Sequence, residues 1–132
     1  MTDINELIGL PWKRGGRNPE EGFDCWGFLL WYYSKYTDIK IGYDFAILPG
    51  ETKNIIRNAE KEIAKKRNWK QLKSPEENNA VALSRNSKIH HVGVWVGDGC
   101  LHVLEELGVV YNNRAQLNRN GYNKVEFYRW QG

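Results

Sequence analysis

The distribution of apolar positions changes abruptly at Phe23. Before it the chain is polar and punctuated, with "KRGGRNPEEG" supplying the glycines and proline of a loop. After it comes "FDCWGFLLWYYSKY", in which apolar and aromatic residues are almost unbroken. Asp24 is a good N-cap, so the pattern predicts a helix from Cys25 to about Tyr36. Its apolar residues cover nearly the whole circumference, which places the helix inside the domain rather than on its surface. A second helix is predicted over Thr52 to about Arg67, where Ile55, Ile56, Ala59, Ile63 and Ala64 recur at helical spacing opposite lysines.

Beyond "SPEENN" the period shortens to two. "AVALSR", "IHHVGVWVG", "CLHVLE", "GVVYNN" and "KVEFYRW" read as successive strands. Helices first and antiparallel strands afterwards is an α+β layout. Within "GDG" at Gly97–Gly99, Asp98-Gly99 suits a two-residue hairpin loop. That register sets His102 opposite Trp95, on the face of His91 but four residues, about 13 Å, away along the strand. It sets Glu106 opposite His91.

Length and composition narrow the possibilities without choosing among them. The 132 residues are read as one domain, 1–132, with 41% hydrophobic and 27% charged residues. A net charge of +3 suits attraction to anionic polymers such as wall material and gives no argument for nucleic acid. The start "MTDINELIGLPWKRGG" has no basic segment followed by an apolar core, so synthesis in the cytoplasm without a signal peptide is expected. The longest apolar run, "FLLWYY", is far too short to insert in a membrane. The six tryptophans are read as core residues rather than as a sugar-stacking surface.

The chemistry centres on Cys25. Two cysteines, Cys25 and Cys100, make no disulfide scaffold. Yet Cys25 falls in the first turn of a buried helix, where unpaired N–H groups and the helix dipole favour a thiolate and can steady an oxyanion. Gly27 weakens a helix interior but lets another chain approach closely, a cost that structure alone gives little reason to accept. A thiol nucleophile needs a base, and the histidines are His90, His91 and His102. Alternation groups His90 with Val92, Val94 and Val96 on a core face, and His91 with Gly93, Trp95 and Gly97, where there is room beside it.

Taken together, "PWKRGG…GFDCWGF" and "HVGVWVGDGCLHV" resemble the NlpC family of papain-fold cysteine peptidases, and most closely its branch in phage tail-associated and prophage proteins. The resemblance implies a papain-like fold in which the helix bearing the nucleophile packs on an antiparallel sheet. It implies Cys25 as nucleophile, His91 as base and His102 as the group orienting that base, with no metal and no cofactor. The implied substrate is an amide of the peptidoglycan stem peptide, often the bond from D-glutamate to the diamino acid. Other phage tail proteins are implied as partners, with the bacterial wall as the place of action. Trp12, Asp24 and Trp26 are the residues assigned to substrate binding.

Four positions depart from the family pattern. Trp26 replaces the usual serine after the cysteine and is expected to narrow or reshape a subsite, and Trp12 stands where a tyrosine often lines the site. Asn78-Asn79 replaces a Gly-Asp pair, and the hairpin before His102 is one residue short. Two other readings stay open: an amidase or acyl transferase using the same Cys-His pair, and a tail or host-interaction module whose chemistry is unimportant.

Overall fold

The protein's structure, a computed structural model, describes residues 3–41, 69–86 and 88–131, without the side chains of 88–90. The helix expected over Thr52–Arg67 lies outside the described residues. In chain order the elements are α1 (Ile4–Leu7), β1 (Arg17–Asn18), β2 (Gly22–Phe23), α2 (Cys25–Tyr36), β3 (Trp69–Leu72), β4 (Ala80–Arg85), β5 (Lys88–Val96), β6 (Gly99–Leu104), β7 (Gly108–Asn112), α3 (Arg114–Arg119) and β8 (Lys124–Trp130). β3 to β8 form one antiparallel sheet in the order β3-β8-β4-β5-β6-β7. The α+β expectation holds, and the five strands read from the sequence are β4 to β8.

Alternation divides the sheet into two cores. Ala80, Ala82, Val92, Val94, Val96, Leu101 and Val103 lie under α2, against Phe28, Leu29, Tyr32 and Tyr33. Val81, Leu83, Trp95, Cys100 and Phe127 face the other way, covered by Leu117 of α3 and by Tyr122. Phe28, Leu29 and Tyr32 have no exposed surface, and each such burial contributes on the order of 1.5–3 kcal/mol. α2 is therefore fixed to the sheet along its length.

Two tyrosines of α2 also bind the turn before β4. Tyr32 Oη donates to Asn78 Oδ1 at 2.9 Å and Tyr33 Oη to the Asn78 carbonyl at 2.8 Å. Asn78 has φ +66°, a left-handed conformation that glycine takes freely and asparagine tolerates better than most residues. At the Asn78-Asn79 departure the backbone thus takes a shape open to glycine, and the asparagine adds a side-chain acceptor.

The hairpin differs from the expected one. Val96 pairs with Gly99 and Val94 with Leu101, so the two-residue loop is Gly97-Asp98. Only Gly97 has positive φ there, +62°, which matches a turn needing glycine at its first central position rather than an Asp-Gly turn. The shift by one loop position moves every cross-strand partner by two residues. Continuing the register sets His102 across from Gly93 rather than Trp95, and a Cβ on Gly93 would meet His102 Cβ at 3.0 Å. Glu106 lies in the exposed turn after β6, so the ladder does not carry it to His91.

β5 carries a second irregularity. Leu83 pairs with His91 and Ser84 with Ile89, so the ladder skips His90. The bulge adjoins the candidate base, at a place where bulges commonly re-aim side chains. The core-face reading of His90 concerns a side chain outside the described residues. Among the described residues no helix is long and apolar enough to cross a membrane.

Candidate active site

The start of α2 can be accounted for donor by donor. Asp24 Oδ1 accepts from Gly27 N at 2.7 Å, and the Phe28 N–H bonds the Asp24 carbonyl at 2.9 Å. The remaining first-turn N–H groups, of Cys25 and Trp26, act on the Cys25 sulfur, joined from β5 by the Val92 N–H. Three backbone donors thus converge at one sulfur from two different elements.

Asp24 has only 1% of its surface exposed. Besides capping α2, it accepts from Arg17 Nη1 at 2.8 Å and from Gly15 N at 3.1 Å. The carboxylate expected at the substrate is therefore occupied in pinning the 15–17 loop to the helix start. Gly27 has a related explanation. A Cβ there would lie 2.0 Å from the Gly16 carbonyl oxygen and 2.7 Å from Arg17 Nη1. The close chain that requires glycine is the protein's own loop, so packing supplies the structural reason for Gly27 that the sequence did not offer.

The thiol itself departs from expectation. Burial, and then the Asp24 carboxylate beside it, push the Cys25 pKa up to about 12, against the lowering effect of the three N–H groups. Desolvation and a like charge outweigh the dipole. The resting group is a protonated thiol, not the thiolate that the helix position suggested.

His91 and His102 lie against each other across the β5–β6 splay. His91 Nε2 is 3.1 Å from His102 Nδ1, and His102 Nε2 is 2.8 Å from Asn112 Oδ1 on β7. His102 is fully buried and His91 is 9% exposed. With Asn112 Oδ1 as the acceptor, His102 carries its proton on Nε2 and receives the His91 Nε2–H at Nδ1. His91 Nδ1 is then left with a lone pair. Burial, the neighbouring His102 and then Arg85 hold the His91 pKa well below 6.5, and burial lowers that of His102 as well. Both imidazoles are neutral near pH 7.

The remaining assigned residues divide. Trp12 is half-buried, packs against the α2 core and bridges by backbone to Phe23, two residues before Cys25. Trp26 is 3% exposed and sits inside that core. One helical step of about 100° separates it from Cys25, so the indole expected to narrow a subsite contributes packing. Asn112 was missed by the sequence reading, as was Tyr122, whose ring stacks on His91 at 6.2 Å between centroids and 15° between planes. A cavity of about 430 Å³ opens beside them, with Arg85 and Asn120 in its lining. Among the described residues no cluster of three or more His, Cys, Asp or Glu is placed to hold a metal ion.

The sequence model of the NlpC/P60 family matches residues 9–128. The chain belongs to the NlpC/P60 family. It is a cysteine-peptidase homologue in which the helix bearing Cys25 packs on a six-stranded antiparallel sheet. It is 31% identical over 116 residues to the bifunctional muramidase/DL-endopeptidase CwlT of Bacillus subtilis (strain 168), covering 86% of this chain. It spans only 30% of that relative's length. Among solved structures, the NlpC/p60 domain of the peptidoglycan hydrolase SagA superposes with a TM-score of 0.58 at 17% identity, over 93% of this chain and 90% of that one. A lipoprotein-like NLP/P60 protein (SAV0400) of Staphylococcus aureus subsp. aureus Mu50 gives 0.55 at 16% identity, over 92% of this chain and 37% of its own. At those identities the two structures speak for the fold.

Proposed function

We propose that this NlpC/P60 chain hydrolyses an amide bond of peptidoglycan stem peptides, with Cys25 as nucleophile, His91 as base and His102 as the orienter of that base. The observation that carries this reading is the relay Asn112–His102–His91, which leaves one imidazole lone pair, on His91 Nδ1, free to take a proton. Because thiol and imidazole both rest neutral, proton transfer accompanies attack. The sulfur bonds to the carbonyl carbon as its proton passes to His91 Nδ1. The Cys25 and Trp26 N–H groups receive the negative charge that develops on the carbonyl oxygen. Imidazolium then protonates the departing amine, and water, deprotonated by the same nitrogen, cleaves the thioester.

The likeness to a protein named a DL-endopeptidase supports a stem-peptide bond next to a D-residue, the D-glutamate to diamino-acid link, as the one cut. Incubation of the protein with purified muropeptides, followed by mass spectrometry, tests the whole reading. Two stem fragments that vanish with Cys25→Ala are expected. Acyl exchange onto added amines without net hydrolysis would point to a transferase. An intact substrate pool from a folded protein would point to a non-catalytic module. Delivery by a phage tail, with other tail proteins as partners, rests on the resemblance of the two sequence motifs to that branch; co-sedimentation with purified virions is its test.

A further inference from the structure

We infer that Arg85 and Tyr122 form a packed support for His91, positioning residues that hold its ring in place and set a fixed positive charge beside it. This rests on the reading of His91 as base. The Tyr122 ring carries both contacts. The Arg85 guanidinium carbon lies 4.4 Å from the centre of the Tyr122 ring, and Tyr122 in turn lies nearly parallel to His91. The same ring meets His102 edge-on, at 6.4 Å and 85°. One phenol thus touches both imidazoles of the relay, flat against one and at right angles to the other. Packing of this kind limits the freedom of the two rings that make the Nε2–Nδ1 contact.

Arg85 is held in place too. Arg85 Nη2 donates to the Asn120 carbonyl at 2.8 Å, just beyond α3, and Tyr122 follows two residues later. α3 starts with a full capping box between Asn113 and Gln116, immediately after Asn112. The short helix therefore links the acceptor at one end of the relay to the stack at its side.

The charged and titratable groups around His91 come from three elements: His102 from β6, Arg85 from β4 and Tyr122 from the segment after α3. Burial raises the Tyr122 pKa despite the opposing pull of Arg85, so the phenol stays neutral and Arg85 is the fixed charge facing the base. A positive charge there disfavours imidazolium.

Side-chain NMR titration of His91 in the uncomplexed protein, with the pH profile of kcat/KM, tests this. Arg85→Gln keeps a hydrogen-bond donor near Asn120 but removes the charge. Its His91 pKa should rise by roughly 0.3–1 pH unit, as expected for a partly solvated charge several ångströms away, and the acid limb of kcat/KM should rise equally. Arg85→Lys should restore both. Tyr122→Leu should lower kcat at least tenfold with little change in KM, and broaden the imidazole signals; Tyr122→Phe should stay within about twofold of the parent.

If Tyr122→Leu does not fold, the exposed Arg85 pair decides alone. An unchanged His91 pKa in folded Arg85→Gln would overturn the inference. A shifted pKa in a protein that cleaves no muropeptide would sustain it while sinking the proposed substrate.

Discussion

Asn112 Oδ1 lies 2.8 Å from His102 Nε2, on the side of that ring away from His91. The amide oxygen accepts from one nitrogen and so reserves the other to accept from His91. Loss of either group should impair the tautomer of His91 without removing the nucleophile. His102→Ala is expected to lower turnover by about tenfold to a thousandfold, and Asn112→Ala by about tenfold. Glu106→Ala, in an exposed turn, should leave steady-state rates unchanged. A larger loss from Glu106 than from His102 would refute the arrangement.

Cys25 and Cys100 offer a direct comparison of two thiols. Both are buried and both have raised pKa values, but Cys25 keeps 8% of its surface exposed and Cys100 none. Iodoacetamide should therefore modify Cys25 first, with peptide mapping as the readout. Cys25→Ala should abolish hydrolysis and leave the melting temperature within a few degrees. Equal labelling of both thiols in the folded protein would contradict the structure.

Asp24→Asn separates the two roles of that side chain. Asparagine caps helices about as well as aspartate, so α2 should persist. Removal of the negative charge that raises the Cys25 pKa should bring it down from about 12. Alkylation near pH 8.5 should accelerate severalfold, measured as a pH–rate curve. The lost pairing with Arg17 should destabilise the fold by about 1–2 kcal/mol in urea unfolding.

pH dependence follows from the lowered histidine values. Above pH 6.5 both imidazoles are neutral folded or unfolded, and they add no pH dependence to stability. Between their depressed folded values and 6.5 the unfolded chain binds more protons, so stability falls on acidification by up to about 1.4 kcal/mol per pH unit for each ring. Hydrolysis should likewise be flat from pH 7 to 9 and decline only below 6.5. An acid limb above pH 7 would mean that His91 rests protonated.

Gly27→Ala in a helix would ordinarily stabilise. Here the added methyl meets the Gly16 carbonyl at 2.0 Å, and a net loss of roughly 1–3 kcal/mol is expected from thermal or urea denaturation.

α2 and the strands β4 to β8 were legible because each carries its own period, and Asp24 marked the helix start without help from tertiary structure. β3 was not, since "WKQL" is four residues long with two polar positions and is a strand only by pairing with β8. His91 and His102 could be named by family resemblance, but their meeting hinged on which two residues make the hairpin loop. Placing Gly97 rather than Asp98 first in that loop moves His102 from Trp95 to Gly93. The Cys25 acidity was illegible for a different reason. A helix dipole can be read along the chain, whereas desolvation depends on what packs around the sulfur.

The protonated state of Cys25 also bears on how the protein ages. Peroxide attacks thiolates, and the first product, a sulfenic acid, leads on to irreversibly oxidised forms. A sulfur that burial and Asp24 keep protonated, 8% exposed, presents almost none of the vulnerable species. The arrangement that makes the resting group sluggish is also a preservative, sparing the sulfur in oxidising surroundings where a standing thiolate would be lost.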